Sequence, residues 1–372
     1  MPKKKSSAEL SDAVGQLLII GFEGAGMSAK LESLLREVQP SGVILFARNI
    51  VSVQQTHELL QACRRLLPVS PFLCVDMEGG LVDRLKKALE PAPAPAEVFA
   101  SGDRKLFRRH GRIIGEECRS AGFNVDFAPV SDLATAVSRS VLASRAVSAD
   151  AKEVSAYVGE FLRGLKSAGV LGCGKHFPGL GEGRLDSHQY LPVINKPWEQ
   201  LWGEDLIPYR KLRREFPFVM VAHAAYPAVT RDSTPASLSR FWITDILRKK
   251  IGFKGLVISD DLEMGGVTSA APVEQAAVAH IRAGGDICLI CHKENVIRRA
   301  YEALADEAQR DTKFSRQVKE AVKRIANFKK KTAVLRRHVP APTPESVQRL
   351  TRQIWEFSEQ VRLEIFAREE QV

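Results

Sequence analysis

The chain has 372 residues, with 54 Lys and Arg against 44 Asp and Glu, a formal net charge of +10. Hydrophobic residues make up 45% and charged residues 26%, a balance that excludes a largely disordered chain. The glycines and prolines follow no three-residue period, so a collagen-like fibre is excluded too, and no apolar stretch approaches the roughly 18 residues of a membrane span. What stands out is the basic excess, which points either to an anionic partner or to one basic segment on a neutral body.

Short apolar runs punctuate the chain: Leu17–Gly21, Gly42–Phe46, Phe72–Val75, Val125–Pro129, Val170–Phe177, Phe218–Ala222, Gly255–Ser259 and Asp286–Cys291. Each is followed by a longer segment, and Val53–Leu66, Ala151–Ala168, Phe241–Lys250 and Val273–Ala283 carry helical periodicity. Alternation of strand and helix predicts parallel strands, because each return crossover needs a helix. Eight such units predict an α/β fold, a single (β/α)8 TIM-type barrel. It is expected to be irregular where Phe127 to Lys175 exceeds a minimal repeat. Pro91–Glu97 reads as a rigid extended loop after the third strand. After Cys291 a helical pattern runs to about Arg337. The prolines within Val339–Pro344 break it, and Glu345–Glu370 forms a last helix, expected to dock on the body rather than serve a partner. The expected domains are thus 1–337, the barrel, and 338–372, the break and C-terminal helical extension.

Six cysteines lie scattered at 63, 74, 118, 173, 288 and 291, and Cys288 and Cys291, although spaced CxxC, sit inside an apolar run. They read as buried thiols rather than a disulfide framework. The residues after the basic N-terminus are polar, without the apolar core of a signal peptide. A reduced, cytoplasmic location is expected.

Polar residues gather at the C-terminal ends of the runs: Asp76, Glu78 and Arg84; Asp126 and Asp132; Lys175 and His176; His223; Asp260 and Asp261. In a barrel these ends share one face, where such enzymes react. A strand-end Asp also caps a following helix, and for Asp132 and His223 that reading is as good. Gly174–His188 carries three glycines within five positions and forms an irregular loop. Within it Asp186 and His188 are two apart, so the carboxylate can orient the imidazole for general acid/base work. Of the adjacent Asp260 and Asp261, only one can point along the barrel axis; near Lys175 it would stay ionised and could act as a nucleophile. No His, Asp or Cys cluster has metal-ligand spacing, so no metal and no cofactor are expected.

Lys175–Gly179, Gly181 and Asp186–His188, followed by Gly252–Gly255 and Ser259–Met264, resemble the bacterial β-N-acetylglucosaminidases of glycoside hydrolase family 3. Val75–Gly80, Phe127–Val130, Ala222-His223 and Pro235–Ser239 add to the resemblance, which covers about residues 13–330. It implies a retaining exo-β-N-acetylglucosaminidase. Asp260 would be the nucleophile and His188 the acid/base, oriented by Asp186. Asp76, Arg84, Arg145, Lys175 and His176 would hold the sugar. The choice of Asp260 over Asp261 rests on the resemblance alone. Leu180 stands where the family usually has His, and Leu81 where it usually has Arg. The implied partner is a small carbohydrate, a GlcNAc-containing muropeptide or oligosaccharide, bound by a monomer without nucleic acid. The alternatives are a β-glucosidase, a chitooligosaccharide-active hydrolase, or a sugar-binding regulator on a decayed barrel.

The charge can be placed. Residues 310–337 hold eleven Lys and Arg against Asp311 and Glu320, a net +9, and Lys3–Lys5 add three more. The rest of the chain is close to neutral, and the basic segment reads as a solvated helix face.

Overall fold

A computed structural model describes residues 13–181 and 190–370. Ten strands are found among them: β1 (Leu18–Ile20), β2 (Gly42–Ile44), β3 (Phe72–Val75), β4 (Met77–Gly79), β5 (Val82–Asp83), β6 (Val125–Asp126), β7 (Cys173–Phe177), β8 (Phe218–Val221), β9 (Leu256–Asp261) and β10 (Ile287–Ile290). Eight of these form one parallel sheet in the order β6-β3-β2-β1-β10-β9-β8-β7. The two ends meet. Val125 bridges Leu171 and Val130 bridges Lys175, both parallel, and Cys173 N–H donates to Ala128 O at 2.7 Å. The eight apolar runs are therefore the eight staves of a TIM-type barrel. Their side chains are almost wholly buried because helices cover the outside and side chains fill the inside.

The anticipated helices Val53–Leu66, Ala151–Ala168, Phe241–Lys250 and Val273–Ala283 are present, joined by Ala29–Val38 and Arg104–Ser120. Ser52 and Asp150 cap two of them by accepting backbone N–H groups, and Gly169 and Gly284 end two more turns in the left-handed region. Two expectations are corrected. The proline run is extended only to Ala94; Pro95 opens the helix Pro95–Ala100, where its missing N–H costs nothing. The helical stretch after Cys291 is two helices, Glu294–Arg310 and Thr312–Lys331, because Asp311 ends the first and caps the second through Lys313 and Phe314 N–H. β4 and β5 form an antiparallel hairpin that was not foreseen. It fits under the proline run: at Gly79, φ +86°, a Cβ would lie 2.3 Å from Pro93 O.

The helix Thr312–Lys331 exposes most of its cations, as a solvated face does. Lys329 is the exception. It turns inward below the barrel, donating to Ser41 O at 2.8 Å and lying 4.8 Å from the Phe72 ring centre, and burial pushes its pKa down to about 7. The last helix, Pro344–Glu369, buries Leu350, Ile354, Phe357 and Val361 in the same core as the barrel helices. Phe357 stacks on His110, with ring centres 5.8 Å apart, and lies 5.4 Å from the Arg109 guanidinium. His57 Nε2 donates to Val339 O at 3.1 Å at the preceding break. Truncating Phe357→Ala is expected to lower unfolding free energy by about 3–5 kcal/mol, measured by urea denaturation; a freely projecting helix would show no loss.

Candidate active site

The strand ends meet as predicted on one face. Asp76 leaves β3 and Glu78 lies in β4; Lys175 and His176 lie in β7; His223 follows β8; Asp260 and Asp261 end β9. At the centre is the fully buried Glu78 carboxylate. Arg145 holds it with a two-pronged contact, Nε to Oε2 at 2.8 Å and an Nη to Oε1 at 2.9 Å, and Lys175 Nζ reaches Oε1 at 2.6 Å. The same ammonium lies 2.9 Å from Asp76 Oδ1, and Arg84 approaches the other oxygen of Asp76 at 3.9 Å. Burial alone would raise the Glu78 pKa, but Arg145 and Lys175 outweigh it and hold the carboxyl well below its ordinary value. Burial would likewise lower Lys175, yet Asp76 and Glu78 raise it, so the ammonium is kept charged. Two cations and two carboxylates fixed in this way make a polar floor suited to hydroxyl and amide groups of a sugar.

His176 points elsewhere. Its Nδ1–H donates to Asp132 Oδ2 at 2.7 Å, so Nδ1 carries a proton. The other oxygen of Asp132 accepts Leu180 N–H at 2.7 Å. Asp132 is thus a clasp between His176 and the start of the glycine-rich loop, rather than a helix cap. Tyr226 Oη–H to Gly179 O at 2.7 Å and a Thr135 hydroxyl bond to Gly181 O pin the same stretch. Leu180 is buried here. Asp186 and His188 lie outside the described residues.

The two aspartates of β9 differ sharply. Asp261 is used up: Oδ1 accepts Glu263 N–H at 3.1 Å and Cys291 N–H at 3.2 Å, and Oδ2 meets His292 Nε2 at 3.2 Å. Asp260 accepts the Asp261 N–H at 2.8 Å, and among the described residues no ion pair engages it. Burial would raise its pKa, but His176, His223, the Asp261 N–H and Lys175 together bring it below the usual carboxylate value. His223 lies behind this strand end. Its Nε2–H donates to Asp261 O at 2.9 Å and its Nδ1 accepts from Ser237 Oγ at 2.7 Å, while burial lowers its pKa.

Of the residues proposed from sequence, Asp76, Arg84, Arg145, Lys175, His176 and Asp260 converge on this face. Glu78, Asp132 and His292 belong to it and were not assigned roles. Glu78 had a signal, since it sits in the Asp-x-Glu-Gly-Gly run. His292 had none beyond its place after a strand. Among the described residues no three His, Cys, Asp or Glu side chains are grouped to hold a metal ion, and no helix is long and apolar enough to cross a membrane.

A parallel barrel with acidic and cationic groups at its strand ends suits many enzyme classes, and comparison with known proteins identifies this one as a glycoside hydrolase. Residues 9–328 match the Glycosyl hydrolase family 3 N terminal domain. The chain belongs to that family. It is 35% identical over 279 residues to a beta-hexosaminidase of Idiomarina loihiensis, spanning 74% of this chain and 83% of that one. It is 34% identical over 288 residues to one of Pseudomonas aeruginosa, spanning 77% and 86%. A family 3 beta-N-acetylglucosaminidase from Paenibacillus superposes with a TM-score of 0.86 at 31% identity, covering 94% of this chain and 68% of that one. The beta-N-acetylglucosaminidase of Thermotoga maritima gives 0.76 at 28%, covering 88% and 68%.

Replacing Glu78→Gln leaves two buried cations short of a counter-charge and is expected to cost about 3–5 kcal/mol of stability near neutral pH. Because the folded-state pKa of Glu78 is depressed, its contribution is complete above the ordinary value of 4.5 and is lost as pH falls below it. Thermal denaturation of both proteins between pH 7 and 3 should therefore show the gap narrowing on acidification; a constant gap would contradict the charge pairing.

Proposed function

We propose that the protein is a retaining exo-β-N-acetylglucosaminidase that removes terminal GlcNAc from cell-wall muropeptide fragments. The observation that carries the catalytic part is the contrast at the end of β9. Asp261 has both oxygens engaged, whereas among the described residues Asp260 has one oxygen without a partner and a pKa below the usual carboxylate value. In the first step the Asp260 carboxylate attacks the anomeric carbon and the aglycone leaves with a proton from the His188 imidazolium. In the second, His188 takes a proton from water, the water oxygen attacks the same carbon, and Asp260 is released as carboxylate. Asp186 orients His188. Using an imidazole rather than a second carboxylate avoids placing a further negative charge beside Asp260, which would raise its pKa. Lys175, Asp76, Arg84, Arg145 and His176 hold the sugar. The choice of GlcNAc and of a muropeptide draws on the family relatives named above, and the location that fits this substrate is the cytoplasm.

The wild-type protein is expected to release 4-nitrophenol from its β-GlcNAc conjugate faster than from the β-glucoside. Asp260→Asn should lower kcat by a factor on the order of 10⁴ or more, and His188→Ala should act mainly on substrates with poor leaving groups. Preference for the glucoside would favour the β-glucosidase alternative, and wild-type rates in Asp260→Asn would sink the nucleophile assignment.

A further inference from the structure

The far end of the barrel carries a second concave, charged feature. β9 begins at Leu256 and ends at Asp261, so the helix end at Lys250 and the loop up to Gly255 lie opposite the catalytic face. From there a groove of about 410 Å³ runs along the helix Phe241–Lys250, against Thr312–Lys331, as far as Arg240. Arg240, Arg248, Lys249, Lys254 and Arg324 line it, with Glu320 the one carboxylate in its wall among the described residues.

These charges do not cancel. Lys249 is neutralised by Asp245 at 2.8 Å. Arg248 and Arg324 share a single, fully buried carboxylate, Asp286, which leaves one positive charge over. Among the described residues Arg240 and Lys254 have no ion-pair partner. With Glu320 subtracted, the groove keeps a net +2. Cations at a helix end often answer the helix dipole, and Arg248 and Lys249 are so placed. Arg240, at the opposite end of the same helix, sits where the dipole disfavours it.

The groove is also prearranged. Asp286 is fixed by the Val257 N–H at 2.8 Å, and Arg248 donates to Gly255 O at 2.6 Å. Arg324 spends only its Nε on Asp286, at 2.6 Å, so both Nη groups remain for a ligand. Gln317 donates its Nε2–H to Arg282 O at 3.0 Å, and its Oε1 is buried without a partner. Forked N–H donors and a charge of +2 together suit an anion with two charges. We propose that this groove binds a phosphate dianion, either free or carried as a phosphomonoester.

The test is titration calorimetry and thermal unfolding of the full chain with inorganic phosphate, with glycerol 3-phosphate as a phosphomonoester, and with potassium chloride at matched ionic strength. One phosphate or one ester is expected per chain, with a Tm that keeps rising with its concentration where chloride has no such effect. Tighter binding of the ester would assign the site to phosphorylated metabolites, and tighter binding of phosphate to the free ion. The pair Arg240→Gln and Lys254→Gln should weaken binding at least tenfold while hydrolysis of the aryl glycoside is unchanged. Equal effects of phosphate, ester and chloride, or undiminished binding by the double variant, would overturn the proposal.

Discussion

Glu78 is a carboxylate with essentially no access to water, and the pocket depends on how its charge is met. Two cations reach it from distant parts of the chain, Lys175 from β7 and Arg145 from the segment after β6. Lys175 then reaches on to Asp76, at the end of β3. The hairpin that carries Glu78 is held under the proline run by Gly79 and Gly80, both in the left-handed region. Removing any one member would strand a buried charge, which costs far more than the pair contributes when intact. This constraint makes the floor of the pocket rigid and links β3, β7 and the segment after β6 into one unit.

The proposed nucleophile follows from the same logic applied in reverse. A carboxylate that attacks carbon must stay ionised without being tied to a cation at contact distance. Asp260 meets that condition because, among the described residues, no cation contacts it and its pKa is lowered by His176, His223 and Lys175 from a distance and by the Asp261 N–H, while its neighbour takes up the structural bonds. Adjacent residues on a strand face opposite ways. That alternation separates one aspartate for the site from one that fastens β9 to β10 and to His292. Behind them His223 and Ser237 hold the strand end, and on the other flank Asp132 joins His176 to the root of the glycine-rich loop.

Much of the fold could be read from the order of residues, since buried parallel strands leave uninterrupted apolar runs and all eight lie within a few residues of where those runs fall. Helices with clean periodicity were equally legible. The helix Arg104–Ser120, absent from that reading, carries the same periodicity through Leu106, Phe107, His110, Ile113 and Ile114, with Gly111 and Gly115 on its buried side. Those glycines exist for packing: a Cβ at Gly111 would lie 2.1 Å from Phe161 O on the adjoining helix. The site was legible where chemistry sits in a compact motif, as in Lys175–Gly181 or Ser259–Met264. Glu78 escaped because its partners are 67 and 97 positions away, a relation that only the closed barrel creates. Asp132 looked equally like a helix cap until its two bonds, to His176 and Leu180, were placed. The choice between Asp260 and Asp261, open to sequence reasoning except by resemblance, has a physical basis in their different hydrogen bonds.

The account turns on Asp260 forming the bond to the sugar. The direct measurement is intact-mass and peptide mapping after incubation with a fluorinated glycosyl substrate, whose intermediate forms faster than it breaks down. A single adduct on Asp260, in the peptide that contains Gly255–Met264, is the predicted result. An adduct on Asp261 or Asp76, or continued turnover with no covalent species at all, would contradict it.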